Sequence, residues 1–270
     1  MPQISAHPSR NSRFEIPAFE QPRRAPIVAQ SAPPPIVDDL LRSNALLGTY
    51  NALDEGFGIP ETLEMLNRIA TLKDDTTGAH VQRMAHIAVC IGAHLGLNAR
   101  QQDLLLLAAP LHDIGKIAIS DSILKKPSAL TAAEMDTMRG HPQIGFDLLA
   151  HSRTPALRLG AEIAISHHER WDGTGYPNAI AGESIPLSGR IVAVADVLDA
   201  LTSERPYKRA WTLESAVSHI EAEAGSHFDP AVTRCLRPAL AAIQQIILAF
   251  SDPAVHTAPG MAPGAQRLHA

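Results

Sequence analysis

The stretch LLLLAAPLHDIGK, residues 104–116, decides the fold of this chain. An apolar, helix-forming run ends at His112 and Asp113, so a buried helix delivers an imidazole and a carboxylate side by side. Buried polar groups need partners, and a divalent cation satisfies both of these together. Gly115 keeps the turn open, and Lys116 adds a positive charge suited to a phosphate. The alternative is a buried His–Asp pair that caps the helix.

Further candidate metal ligands lie before and after this stretch, in or beside apolar helical patterns. They are His80, His141, His167, His168 and Asp196. His80 shares a helical face with Met84, so its side chain is expected to point inward, whereas Arg83 is expected to face elsewhere. Adjacent His167 and His168 can serve one metal cluster only where the backbone turns. The set predicts metal-dependent phosphate chemistry.

Composition excludes several classes of function. At 270 residues with 45% hydrophobic content, the chain can bury one sizeable core. A net charge of -5 argues against a nucleic-acid binder, which needs a basic face. Cys90 and Cys235 are far apart in sequence, so a disulfide framework is not indicated and a reducing cytoplasm is expected. No apolar run approaches the roughly 20 residues of a membrane span.

The chain divides by composition into four segments. Residues 1–36 are rich in proline and are expected to form a disordered leader. Residues 37–54 are expected to form a connecting helix, 55–250 the working domain, and 251–270 a flexible tail.

The working domain shows helical periods and almost no strand alternation, which predicts an all-α fold. The predicted helices run from about 60–72, 78–95, 99–111, 131–149, 155–166, 188–203, 213–223 and 230–250. Thr131 followed by Glu134 predicts a capping box. Asn98 and Asp229 are further plausible helix starts.

In order along the chain, these motifs resemble an HD-GYP domain. The matching residues are His112-Asp113-Ile-Gly-Lys116, His141-Pro, His167-His168-Glu169, Asp172-Gly-Thr-Gly175-Tyr176-Pro177 and Asp196. The resemblance covers roughly residues 55–240. It implies an HD-domain helical bundle with extra C-terminal helices. It also implies a bacterial signalling enzyme that hydrolyses cyclic di-GMP to linear pGpG, and often on to GMP.

The resemblance assigns roles residue by residue. It implies as metal ligands His80, His112, Asp113, His141, His167, His168 and Asp196. It implies a bridging role for Asp113, and catalytic roles for His112, Asp113 and Lys116. The residues expected to contact substrate are Lys116, Tyr176, Asp199, Arg205 and Lys208, with Asp199 alternatively orienting a ligand.

One position departs from the family pattern. Many members carry a glutamate where this chain has Thr76, and that glutamate helps to hold a third metal ion. A neutral hydroxyl is a poor substitute, so two divalent ions are expected, iron or manganese. The departure puts the second hydrolysis, of pGpG to GMP, more in doubt than the first.

Other interpretations stay open at this point. The domain could chiefly bind a partner, such as a diguanylate cyclase through the loop at residues 173–177, or hydrolyse a related cyclic dinucleotide. A homodimer is a further alternative.

Overall fold

The computed structural model describes residues 59–74, 78–204 and 209–250. Within these ranges the chain is helical and forms no strand, and its single β-type contact is an isolated bridge between Ala224 and Phe228. The all-α prediction is therefore confirmed. The predicted leader, connecting helix and tail lie outside the described residues.

The α-helices are α1 Ile59–Asp74, α2 Gly78–His94, α3 Ala99–Ala108, α4 Asp121–Leu124, α5 Ala132–Met138, α6 His141–Leu149, α7 Pro155–Ser166, α8 Leu187–Thr202, α9 Leu213–Ala222, α10 Pro230–Thr233 and α11 Leu236–Ala249. Short 3-10 helices are Ala109–Leu111, Ile114–Ala118 and Gly182–Ser184. None of the helices in the described ranges combines the length and the hydrophobicity needed to cross a bilayer.

Two apolar cores hold the helices together. The larger core surrounds α2, whose side chains are buried from Met84 to Ile91 against α3, α8 and α11. The smaller core lies where α1 packs on the 3-10 helices Ala109–Leu111 and Ile114–Ala118, and it contains Leu63, Leu111 and Ile114. The stretch at 104–116 contributes to both cores, which places His112 and Asp113 between them.

Capping residues fix where several helices begin. Thr131 Oγ1 accepts the Glu134 amide at 3.3 Å, and Glu134 accepts the Thr131 amide at 2.8 Å, so the predicted capping box is confirmed. Asn98 caps α3 through Gln101 in the same reciprocal way. Asp229 accepts the Ala231 amide at 2.7 Å and begins α10. Each cap satisfies amides that have no partner inside the helix.

Two helices predicted as continuous are broken in the structure. The predicted helix 131–149 is α5 and α6, because Pro142 lacks an amide hydrogen and belongs in a first helical turn. The predicted helix 230–250 is α10 and α11. There Pro238 cannot donate to the carbonyl of Arg234, so the helix restarts.

Candidate metal centre

Three imidazoles of the centre are oriented by backbone carbonyls one turn earlier. The Nδ1 atom of His112 lies 3.0 Å from the Ala109 carbonyl, and that of His141 lies 2.8 Å from the Met138 carbonyl. His167 makes the same contact at 2.9 Å with the carbonyl of Ala164. A carbonyl can only accept, so Nδ1 carries the hydrogen in each ring. In the neutral form of each ring, Nε2 then carries a lone pair directed into the centre.

His80 is oriented by a carboxylate instead. Its Nδ1 lies 2.5 Å from Asp199, while its Nε2 lies 3.8 Å from Asp196. Asp199 is fully buried and also pairs with the guanidinium of Arg83, which donates from Nη2 at 3.0 Å and from Nε. Arg83 further donates to Ser203 at 2.6 Å. A carboxylate behind a ligating imidazole fixes the tautomer and strengthens the ligand.

The candidate ligands form two groups, each of which could hold one metal ion. In each group the ligand atoms lie within 4.8 Å of one another. The first group is Asp113, His141, His167 and His168, and the second is His80, His112 and Asp196. The seven residues span positions 80 to 196, so five separate elements converge here.

The Asp113 carboxylate lies between the two groups. Its Oδ1 is 3.1 Å from His141 Nε2 and 3.7 Å from His167 Nε2, whereas its Oδ2 is 3.3 Å from His112 Nε2. Within the described ranges, Oδ1 and these three Nε2 atoms are buried without a hydrogen bond. Lone pairs that face one another in a buried site repel unless a proton or a cation lies between them. The residues therefore fit divalent ions.

The protonation of these rings follows from their surroundings. Burial opposes the charged imidazole of His112, but the adjacent Asp113 carboxylate outweighs it and raises the pKa of His112 to about 9. A metal ion at His112 must therefore displace a proton. Burial lowers the pKa of His167. Burial also lowers the pKa of His168, and repulsion from the neighbouring His167 lowers it further. These two rings are neutral at physiological pH, as ligands must be.

Gly115 matters because two backbones touch there. A Cβ atom at this position would lie 1.9 Å from the carbonyl oxygen of His141 and 2.6 Å from the amide of Gly145. Glycine at 115 thus allows the turn that carries Asp113 to lie directly on the first turns of α6. Lys116 closes the same turn, with its Nζ 2.7 Å from Asp113 Oδ2.

The loop after His168 folds back over the centre. The Tyr176 ring stacks on the His168 ring with 4.7 Å between centroids. Buried Glu169 holds the far side of the loop, since its carboxylate accepts the amides of Asn178 at 2.7 Å and Ile180 at 3.2 Å. The loop is therefore anchored beside the ligands.

The structure brings all seven predicted ligands together, with Lys116 and Tyr176 beside them. Asp199 requires a correction, because it is fully buried behind His80 and fits the orienting role rather than substrate contact. Arg83 was predicted to face elsewhere and is instead buried against Asp199. Its spacing of three residues from His80, which puts both on one helical face, was the available signal.

Other predicted residues lie outside the described ranges. They are Thr76, Arg205 and Lys208. Glu169 belongs to the matching motif, but no role was predicted for it from the sequence. In the structure it anchors the loop after His168 by accepting two backbone amides.

The fold and site together define an all-α protein with a candidate centre for divalent metal ions, built from histidines and aspartates of a helical bundle. The sequence profile of the HD domain family matches residues 64–232. The chain belongs to the HD domain family, and its resemblance to HD-GYP proteins is confirmed.

Several characterised proteins are similar to this chain. The cyclic di-GMP phosphodiesterase response regulator RpfG of Xanthomonas campestris is 47% identical over 206 residues, which are 76% of this chain and 54% of that protein. A cyclic di-GMP phosphodiesterase of Thermotoga maritima is 46% identical over 172 residues, 64% of this chain and 47% of that protein. The 3'3'-cGAMP-specific phosphodiesterase 2 of Vibrio cholerae is 46% identical over 160 residues, 59% of this chain and 31% of that protein.

The chain spans about half the length of the first two relatives. Among solved structures, the cyclic GMP-AMP specific phosphodiesterase V-cGAP3 of Vibrio cholerae superimposes with a TM-score of 0.52 at 22% identity, over 69% of this chain and 50% of that one. This likeness concerns the fold.

Proposed function

We propose that this chain is a metal-dependent phosphodiesterase that hydrolyses cyclic di-GMP to linear pGpG and so lowers the level of this second messenger. The observation that carries the proposal is the Asp113 carboxylate between two groups of metal-ligand atoms. A shared carboxylate of this kind is the arrangement that paired metal ions use in phosphate-ester hydrolysis. The names of two relatives more than 45% identical support the substrate.

The seven ligands would hold two divalent ions, with iron or manganese suited to imidazole and carboxylate donors. When bound, such ions polarise the scissile phosphate and make water more acidic. We expect no third ion, because Thr76 offers no carboxylate. Full conversion to GMP is therefore less favoured than formation of pGpG.

Residues of the chain supply the remaining functions. Lys116, held beside Asp113, neutralises charge on the scissile phosphate as the bond from water oxygen to phosphorus forms and the bond to the ribose oxygen breaks. Burial and the Asp113 charge raise the pKa of Tyr176, so its hydroxyl stays protonated and can donate to substrate. Arg205 and Lys208 are proposed to hold the phosphates from outside the described ranges.

A second candidate substrate is 3'3'-cGAMP. The relative specific for this dinucleotide is 46% identical, nearly the same as the two cyclic di-GMP phosphodiesterases. The metal ligands contact phosphate and water, and therefore do not select between guanine and adenine. Residues around the bases must make that choice.

Partner and location remain predictions. The loop Gly173–Pro177 is proposed to dock a diguanylate cyclase, and it exposes Thr174 and Pro177. A homodimer is a further prediction. A cytoplasmic location is expected because Cys90 and Cys235 are unbridged thiols, as in reducing compartments.

The test combines metal content with product analysis. Protein purified anaerobically and loaded with iron or manganese is incubated with cyclic di-GMP or 3'3'-cGAMP, and products are separated by chromatography. The control is the double variant His112→Ala, Asp113→Ala. We expect two ions per chain and pGpG from the wild type alone. Full metal loading without turnover of either dinucleotide would favour a binding module instead.

A further inference from the structure

An exposed arginine stands next to the centre without a role in the motifs. Arg139 ends α5, two residues before the candidate ligand His141. Its guanidinium carbon lies 5.4 Å from the centroid of the Tyr176 ring, which is within cation–π range. Tyr176 in turn stacks on His168, so the side chains of Arg139, Tyr176 and His168 lie one on another at the edge of the centre.

The position of Arg139 is fixed by the turn that orients His141. The carbonyl of the preceding residue, Met138, accepts the His141 Nδ1 hydrogen at 2.8 Å. The backbone amide of Arg139 donates to Met135 and closes the last turn of α5. The Cα atom of Arg139 is therefore held beside the centre, and the contact with the Tyr176 ring directs the guanidinium toward it.

The charge of Arg139 is available to a ligand. Its side chain is exposed, and no carboxylate of the described residues lies within ion-pair distance of it. Lys116, by contrast, is 2.7 Å from Asp113 at the scissile position. A cyclic dinucleotide carries two phosphates, and only one can lie on the metal ions. The second phosphate lies beyond them, where Arg139 can bind it in addition to Arg205 and Lys208, which lie outside the described residues.

We propose that Arg139 binds the non-scissile phosphate of the cyclic dinucleotide. Guanidinium presents parallel N–H donors that match two phosphate oxygens, and it keeps its contact with the Tyr176 ring in the same pose. This inference rests on the proposed function, since it requires a cyclic dinucleotide at the centre. It makes Arg139 a substrate-binding residue that acts on affinity more than on the chemical step.

The test compares a two-phosphate substrate with two single-phosphate substrates. Arg139→Ala, Arg139→Lys and wild type are assayed with cyclic di-GMP, with bis(p-nitrophenyl) phosphate and with the p-nitrophenyl ester of GMP. Arg100→Ala removes another exposed arginine and is the matched control. Metal content and circular dichroism verify that each variant is folded and loaded.

We expect Arg139→Ala to raise KM for cyclic di-GMP about tenfold to a hundredfold, as loss of a charged hydrogen-bonding pair does. Its loss on both single-phosphate esters should be at least tenfold smaller. Lysine should restore part of the affinity, because it keeps the charge without the paired donors. An equal loss on all substrates would overturn the proposal. An equal loss on cyclic di-GMP and the GMP ester, with bis(p-nitrophenyl) phosphate unaffected, would also overturn it, because it would indicate guanine recognition.

The outcome for the wild type separates the two proposals. If the wild type hydrolyses bis(p-nitrophenyl) phosphate but not cyclic di-GMP, the proposed substrate is wrong. The Arg139 assignment is then judged with 3'3'-cGAMP, which also carries two phosphates. If neither dinucleotide is turned over, the assignment is overturned as well.

Discussion

Four imidazoles of the centre are oriented through the same ring nitrogen, Nδ1. His80 is held by a carboxylate and His112, His141 and His167 by backbone carbonyls, always through Nδ1. The Nε2 atoms are thereby set before any metal ion binds, so little side-chain entropy remains to be lost on binding. The one carboxylate support, Asp199, can be altered without disturbing the backbone.

Asp199→Asn tests that support. The change should lower metal affinity about tenfold to a hundredfold, because His80 loses a charged partner. It should also lower the free energy of unfolding by about 3 kcal/mol, because buried Arg83 loses its counter-charge. Isothermal titration with Mn²⁺ and urea denaturation measure the two effects.

The matched control is Asp229→Asn. Asp229 forms the buried pair with Arg190, at 2.5 Å, away from the ligands. This variant should lose stability while keeping metal affinity. Equal metal affinities for the two variants would contradict the role given to Asp199.

His227 lies outside the metal centre and makes the free energy of unfolding depend on pH. Burial, with the nearby charge of Arg170, lowers the pKa of His227 to about 4, although Glu223 and Asp172 act in the opposite direction. The unfolded chain takes up this proton first, so stability falls as the pH drops from 6.5 to 4. His227→Gln should remove about 1–2 kcal/mol of that fall, allowing for partial exposure. Urea denaturation of the wild type and of His227→Gln at pH 7 and pH 4.5 measures this difference. An equal fall in unfolding free energy for the two proteins would refute the prediction.

At the scale of elements, the helices end where the ligands are needed. His112 follows the short 3-10 helix after α3, His141 begins α6, and His167 follows the last residue of α7. Helix ends leave carbonyl and amide groups without partners inside the helix, and those carbonyls are what orient the rings. The contact between the Asp113 turn and α6 brings these ends together.

Gly115→Ala tests that contact. The added methyl group meets backbone atoms that cannot rotate away, so we expect a loss of about 3 kcal/mol in unfolding free energy and weaker metal binding. Gly78→Ala is the control, since its Cβ atom meets nothing within 4 Å at the start of α2. That change should leave stability equal or slightly higher. A stable, metal-binding Gly115→Ala protein would show that the two backbones can separate.

The sequence predicted the ligands better than their supports. The candidate ligands were readable because their types and order match the HD-GYP motifs and because they fall in or beside apolar helical patterns. The contacts of Arg83 with Asp199 and of Arg139 with Tyr176 were not readable, because each partner is distant in sequence. The spacing from His80 indicated only the helical face of Arg83. The breaks at Pro142 and Pro238 were readable in principle, since both prolines exclude a continuous helix.

At the scale of the whole molecule, the centre joins α2, the turn after α3, α6, the end of α7 and α8. An ion bound there binds the folded chain and not the unfolded one, so it adds its binding free energy to stability. We expect Mn²⁺ at a hundred times its Kd to add about 2.7 kcal/mol and to raise Tm by about 5–10 °C.

Scanning calorimetry with and without Mn²⁺ measures this shift. The double variant His112→Ala, Asp113→Ala should show almost none of it, because it lacks a ligand of each group. A shift of equal size in the variant would mean that the ion binds elsewhere.

The convergence of five elements on one centre also bears on how long the protein survives in a cell. Proteases cut chains that open, and ions bound at the centre would oppose the opening of each element that supplies a ligand. If the proposed metal binding holds, metal supply would then slow degradation of the chain as well as support its activity. Cells starved of the metal would be expected to contain less of the protein.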